Sequence, residues 1–327
     1  MKIQRIDDEA LWDSFVSSSP QGSVFSKTRW IKAAAAAQGG LPRFIGVIED
    51  NKLAAGVTGI ELSKGGFRKI TTPVLTPYGG VIYRAWAGKR KSEEESYNMD
   101  CSGKLIEYIG SRYQYSFLIH SPGITDIRPF TWAGWQEKVR YTYVMDLTDI
   151  EKIWDQMERR VRTVLRKAES DLELHGAIEI TDFGELYEHI YKDRGKRLPI
   201  EKKTVTAMVS DILNSGLGEM RTVLNKAGDV VSSMVVVSDE TNAYAWISGS
   251  IPESNSSGAF SLLFWDVIRR YSENCTYLDM VGANIPSVAF FKKGFGAKLK
   301  PYYVTERYSS HFSKAVFRIF GQCKKLF

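Results

Sequence analysis

A mixed α/β fold built from two copies of one unit is what this sequence predicts, on three observations. The first is length: 327 residues exceed one average domain and suit two. The second is a weak internal repeat. RFIGVIEDNKLAAGVTGIEL, from Arg43, reads strand, polar turn, strand, and MRTVLNKAGDVVSSMVVVSD, from Met220, repeats that layout with Asn225 to Asp229 as its turn. The third is that each hairpin leads into a helix and another strand: Asp100 to Arg112 with YSFLIH in the first half, Ala259 to Tyr271 with YLDMVG in the second.

After the first hairpin comes an insertion, KGGFRKITTPVLTPYGGVIYRAWAGKR, rich in Gly, Pro and aromatics, which reads as a loop covering a site or as a plain surface excursion. Lys91 to Asn98 is acidic and polar and reads as a solvated loop. The strand YTYVMDL, from Tyr141, closes the first domain. A long helix then starts where Thr148 and Glu151 form a capping box, and Gly176 stops it. Ile150, Trp154, Met157, Val161, Val164, Ala168 and Leu172 recur at steps of three and four and define its buried face. Arg159, Arg162 and Arg166 share the opposite stripe, which Arg160 and Lys167 widen. A second basic group, YKDRGKRLPIEKK from Tyr191, lies in the same domain, and a third strand, AYAWISGS, comes after the second hairpin.

Composition excludes several classes. Apolar residues make up 43% and charged residues 25%, ordinary for a soluble, well-cored protein. A net charge of +6 suits a basic site for a phosphate-bearing ligand better than a nonspecific coat for DNA. Cys101, Cys275 and Cys323 are odd in number and lack metal-ligand spacing, so neither a disulfide framework nor a metal site is expected. The N-terminus, MKIQRIDDEALWDSF, carries acids where a signal peptide needs an apolar run, and no apolar run reaches the ~18 residues of a membrane span, which points to a reducing, cytoplasmic location.

The stretch from Leu278 to Gly296 carries the chemistry: an apolar strand, a polar break, a short helix, then Phe-Lys before Gly-Phe-Gly. A strand end beside a helix N-terminus offers backbone N–H groups where an acyl carbonyl gains negative charge, so acyl transfer leads. Phe290 and Phe291 cannot share one helix face, which leaves one for the core and one for a pocket wall. Lys292 reads as a site residue or as a lysine snorkelling from a helix end, and Lys293 as its solvent-facing neighbour. The arginine stripe reads as a solvated face or as a phosphate site, since guanidinium offers forked, permanently charged donors. A diphosphate or tRNA ligand accounts for both basic clusters.

Acyl transfer to an amine requires a neutral nucleophile, and an alkyl ammonium has a pKa of about 10.4, so a base or a desolvated pocket is needed. His120, Asp126 and Asp279 are the candidate bases. His120 closes an apolar strand and also reads as a satisfied core histidine. Asp126 also reads as the turn partner of Arg128, and Asp279 either faces a cleft or caps the next helix. No Ser-His-Asp or Cys-His order is convincing, which favours direct attack by the amine. Trp132, Trp135 and Tyr141 to Tyr143 read as core or as a cleft for sugar or peptide. Arg128, ahead of Pro129, is a candidate acceptor contact.

Four segments, SVFSKTRW, DIRPFTWAGW from Asp126, RVRTVLRKAESDLELHG from Arg160 and GANIPSVAFFKKGFGAKL from Gly282, together resemble the Fem-type aminoacyl transferases that build peptidoglycan interpeptide bridges, within the FemAB-like branch of the GNAT acyltransferase superfamily. The resemblance spans nearly the whole chain, and the last segment is its most specific part. It implies two tandem GNAT-like domains with mixed, mostly antiparallel sheets: residues 1–147, with a tail 311–327 packing back on them, and residues 148–310, which carry the transfer site. The acceptor is implied in or near the cleft between the domains. Phe291 and Lys292 are implied to hold the aminoacyl end and steady the oxyanion, Arg162 or Arg166 to bind phosphate, and Lys27 or Lys32 to assist. The chain departs from the bridge-forming pattern at His120-Ser121-Pro122, where those enzymes tend to carry an acid, and it shows no heptad run for a coiled-coil arm.

The donor implied is an aminoacyl-tRNA or an acyl-thioester on CoA or a carrier, used as co-substrate with no resident cofactor. IPESNSSGAFSLL has one glycine, Gly258, and an acid, Glu253, where GNAT enzymes cradle the CoA pyrophosphate, which weakens the CoA reading. The acceptor expected is an amine on a cell-envelope or polysaccharide precursor. The alternatives are an acyl-CoA N-acyltransferase of another acceptor and a noncatalytic carbohydrate- or RNA-binding protein. The C-terminal FSKAVFRIFGQCKKLF suits packing on the first domain or peripheral contact with a membrane surface.

Overall fold

A computed structural model describes residues 1–310 apart from residues 194, 196, 199 and 253–256. The C-terminal tail, Glu253 and part of the second basic group therefore lie outside the described residues. The chain divides into two compact units, Met1–Arg140 with the segment from Tyr302, and Tyr141–Pro301. Sequence reasoning put the boundary after the YTYVMDL strand; the division falls at the start of that segment, between Arg140 and Tyr141.

In the first unit, β1 (Lys2–Arg5), α1 (Glu9–Ser18) and α2 (Thr28–Gln38) precede the hairpin of β2 (Leu41–Glu49) and β3 (Lys52–Lys64). Asp50 and Asn51 turn it at φ 48° and 58°, the two-residue left-handed turn whose twist matches the strands. Then come β4 (Phe67–Thr71), β5 (Val81–Tyr83), α3 (Lys91–Arg112), β6 (Tyr115–Ile119), α4 (Arg128–Trp132) and β7 (Gln136–Asp146), which runs into the second unit. The insertion thus hides a third strand, β4, which pairs with β3 antiparallel and with β6 in parallel. Lys91 to Asn98 is no loop: it forms the first turns of α3, with Glu93 and Glu94 placed where the helix dipole favours acids.

The second unit contains α5 (Ile150–Gln156), α6 (Arg159–Asp171), β8 (Leu172–His175), α7 (Ile180–Asp193), α8 (Lys202–Asn214), β9 (Gly218–Asn225), β10 (Val230–Ser238) and β11 (Asn242–Ser250). Next in the chain are α9 (Ala259–Tyr271), β12 (Tyr277–Asp279), α10 (Pro286–Lys293) and β13 (Lys298–Tyr308), which leads back to the first unit. The single long helix expected from Thr148 is two helices and a strand. Asp149, not Thr148, caps α5, its carboxylate accepting from Lys152 N at 2.9 Å, and Met157 is extended at ψ 139°. The expected face also shifts, for Val164 is exposed while Val161, Leu165 and Ala168 are buried.

Each unit has one sheet plan: three antiparallel strands, a helix, then a strand parallel to the third. In the first the order is β1-β2-β3-β4-β6-β13, in the second β7-β12-β11-β10-β9-β8. The parallel pairs are β4 with β6 and β11 with β12, and the remaining neighbours recorded within each sheet are antiparallel. The second core gathers Leu262, Leu263, Phe264 and Ile268 of α9 with Val161 and Leu165 of α6 over the sheet. Burying side chains of this size stabilises by about 1.5–3 kcal/mol each before entropy is charged.

Candidate active site

The two parallel pairs differ in what lies beyond them. β11 and β12 are in register at only three positions, Asn242 with Tyr277, Ala243 with Leu278 and Tyr244 with Asp279. From there β11 stays with β10 through a bulge at Trp246, where Val235 faces Ile247 but Val236 faces Ala245. The exit of β12 instead stays with β7, with Met280 N bonded to Tyr143 O at 2.9 Å and Ala283 N to Tyr141 O at 2.7 Å. The strands part into a wedge, and no described segment is recorded hydrogen-bonded between them. A diverging strand edge of this kind offers backbone donors and acceptors to an extended chain or an acyl carbonyl.

In the first unit the equivalent opening is filled by the protein itself. Past the last β4–β6 pair, Thr72 N bonds Phe117 O and Gly79 N bonds Ile119 O, both at 2.8 Å, while Ile119 N donates to Thr72 Oγ1 at 2.9 Å. A Cβ on Gly80 would lie 2.4 Å from His120 Nδ1, so only glycine fits there. The insertion thus plugs a cleft rather than covering one.

His120 belongs to this plug, which corrects its candidacy as a base. It is fully buried, Nδ1 accepts from Val81 N at 3.3 Å, and Nε2 is bonded to Thr305 Oγ1 at 2.9 Å. Burial drives its pKa down to about 3. Asp126 is likewise a poor base, because hydrogen bonds from Arg128 hold its carboxyl below the usual range. Arg128 grips Asp126 at 2.8 Å and Glu95 at 2.5 Å and lies over the Trp132 ring. Asp126 and Arg128 line a cavity of about 430 Å³ with Gln21, Tyr83 and Glu94.

In the second unit Lys292 is buried, 6% exposed, and points away from bulk water. Its ammonium donates to Met280 O at 2.5 Å, Val281 O at 2.6 Å and Gly282 O at 2.7 Å. A lysine has three N–H donors, and here all are occupied, so none is left for an acyl oxygen in this arrangement. The strand-end amides expected to be available are also taken: Val281 N bonds Asp279 Oδ1 at 2.8 Å and Gly282 N bonds Thr142 Oγ1 at 3.2 Å. α10 starts at Pro286 after Ile285, whose side chain makes no capping bond.

Asp279 is buried, with Oδ1 accepting from Thr142 Oγ1 at 2.5 Å as well as from Val281 N. It braces the loop from inside, which is neither of the alternatives read from sequence. Burial lowers the pKa of Lys292 to about 8, and the charge of Asp279 opposes that fall. Phe291 joins Phe260, Phe264 and Phe295 in a ring cluster, with centroids 5.2 to 5.6 Å from it. Phe290 is exposed, with the Arg160 guanidinium 4.0 Å above its ring.

The basic stripe is split in use. Arg162 Nη1 donates to Trp154 O at 3.1 Å and Asp155 O at 3.2 Å, closing the C-terminus of α5, so its assigned phosphate role gives way to a joint between helices. Arg166 is exposed and lies over Trp154. In the first unit Lys32 is ion-paired with Glu9, and Lys27 occupies the N-cap position of α2. Gly258 starts α9 at φ 78°, and a Cβ there would meet Val164 at 2.6 Å, so α6 roofs the first turn of α9. Sequence reasoning missed Thr142, the bulge at Trp246 and the left-handed Val281, none of which leaves a spacing signal.

Among the described residues these features define a tandem GNAT-type fold in which β11 and β12 diverge after three paired positions. Residues 155–293 match the acetyltransferase (GNAT) domain family. No curated protein matches the chain in sequence. In fold it is similar to the crystal structure of FemX, with a TM-score of 0.72 at 12% identity, covering 98% of this chain and 99% of that one. It is similar to a tandem GNAT protein from the clavulanic acid biosynthesis pathway, with a TM-score of 0.52 at 9% identity over 94% and 99% of the two chains. It also resembles the C-terminal domain of a putative lysylphosphatidylglycerol synthetase from Agrobacterium fabrum, with a TM-score of 0.55 at 12% identity over 95% of each chain. The FemAB-like branch of the GNAT superfamily is therefore the one this fold resembles.

Proposed function

We propose that the chain is an N-acyltransferase that moves an aminoacyl or acyl group onto an amine of a cell-envelope precursor, with the wedge between β11 and β12 holding the acyl end. The observation that carries this reading is the asymmetry of the units: one parallel pair is plugged by its own chain, and the other diverges with no such plug among the described residues. The GNAT match spans the open pair, and the names of the Agrobacterium relative and of FemX support an envelope acceptor.

The amine attacks the donor carbonyl directly, the C–N bond forms, the C–O bond to the tRNA ribose or the C–S bond of the thioester breaks, and the amine's proton passes to the departing oxygen or sulfur. With His120 sealed and Asp126 held ionised, neutral amine is favoured by desolvation and by the positive charge of Lys292 behind the loop. The donor is an aminoacyl-tRNA in preference to CoA, a choice supported by the roof of α6 over Gly258 and by the exposed Arg159 and Arg166. No resident cofactor is part of the reaction, and the location is the cytoplasm.

The test is a screen of aminoacyl-tRNAs and acyl-thioesters against amine-bearing envelope precursors and polysaccharides. Transfer from at least one donor is expected. Turnover of a thioester with every tRNA inactive would overturn the donor, and tight RNA or sugar binding with no transfer at all would overturn the enzyme.

A further inference from the structure

The exit of β12 contains one residue too many. Met280 lies opposite Tyr143 and Ala283 opposite Tyr141, so Val281 and Gly282 together face the single residue Thr142. This is a β-bulge, placed immediately after the last β11–β12 pair, where the wedge begins. Val281 adopts φ 50° and Gly282 φ 78°. Glycine takes that conformation readily, but for a β-branched residue it is a strained outlier that persists only when its surroundings enforce it.

The enforcement is visible group by group. The two bulge amides go to Asp279 and Thr142, and the three carbonyls of Met280, Val281 and Gly282 converge on Lys292. Three carbonyl dipoles pointing at one spot repel one another unless a cation sits there. The ammonium arrives from the last turn of α10, so one side chain ties that helix to the wedge wall.

We propose that Lys292 is a positioning residue: its ammonium clamps the Met280–Gly282 bulge in its left-handed form and so shapes the wedge. This rests on the acyltransferase reading, from which it differs in naming how the lysine acts. The burial that lowers the pKa of Lys292 to about 8 is consistent with a clamp sealed from water.

The experiment compares Lys292→Met, Lys292→Arg, Val281→Gly and the double variant Val281→Gly/Lys292→Met in the full chain, using the donor and acceptor found by the screen. Lys292→Met is expected to lower kcat by about tenfold or more with a smaller change in donor KM. Val281→Gly in that background is expected to recover at least about threefold, because glycine holds the bulge without the clamp. A double variant no better than Lys292→Met would overturn the clamp, since an oxyanion donor cannot be replaced by a glycine elsewhere.

Amide exchange at Val281 and Gly282 reads the same cycle without substrate, so it keeps its meaning if no donor is ever turned over. Protection lost in Lys292→Met and regained in the double variant supports the clamp. Equal protection in the wild type and Lys292→Met overturns it. Should Lys292→Met fail to fold, Lys292→Arg supplies the comparison, because its larger planar head cannot meet three converging carbonyls as an ammonium does; unchanged exchange and turnover there would also overturn the clamp.

Discussion

Lys292 and His120 show how burial decides what a titratable side chain does. The pKa of Lys292 falls from 10.5 to about 8, so between those values the unfolded chain holds more protons and stability rises with pH. The clamp runs the other way, losing its charge over the same window. Wild-type turnover is thus predicted to fall on an alkaline limb near pH 8, while the unfolding midpoint shows no matching loss from this group. The double variant Val281→Gly/Lys292→Met is predicted to lack that limb, and a pH–rate profile of both proteins checks it. His120→Asn is predicted to cost about 1–3 kcal/mol in urea unfolding, through its two buried hydrogen bonds, and to leave the pH dependence of kcat below about pH 7 unchanged. A changed pH dependence of kcat in that acidic range would restore His120 as the base.

At the scale of elements, the joint between α5 and α6 is where sequence and structure diverge most. Trp154, Met157 and Val161 keep helical spacing straight across the break, so periodicity cannot reveal it. What ends α5 is a tertiary bond, Arg162 to the carbonyls of Trp154 and Asp155. Arg162→Met is predicted to lower stability by about 1–2 kcal/mol and to leave the salt dependence of donor binding unchanged, whereas Arg166→Ala flattens that dependence. Denaturation and donor affinity at two ionic strengths distinguish them. The hairpins were legible because Asp50-Asn51 and Asn225 to Asp229 are strong turn formers between apolar runs. β4 was not, since FRKIT carries only weak alternation and sits among glycines and prolines. The Phe-Lys motif was legible by type alone: that Phe291 joins Phe260 and Phe264 and that Lys292 turns inward onto Met280 O depends on tertiary packing.

For the whole molecule, duplication with one opening kept and one filled is the central claim. The repeat was visible in sequence, but the plug was not, because it depends on Thr72, Gly79 and Gly80 meeting Phe117, Ile119 and His120 across about 40 residues of chain. Among the described residues no helix is long and apolar enough to cross a membrane. The most direct measurement is amide hydrogen exchange of the full chain with and without a non-transferable analogue of the donor that the screen identifies. Protection confined to the Ala245–Ser250 edge of β11 and the Met280–Gly282 bulge, with Thr72–Gly80 and Ile119–His120 unchanged, is the predicted result. Protection appearing at the β4–β6 opening, with the β11 edge unaffected, would contradict the account.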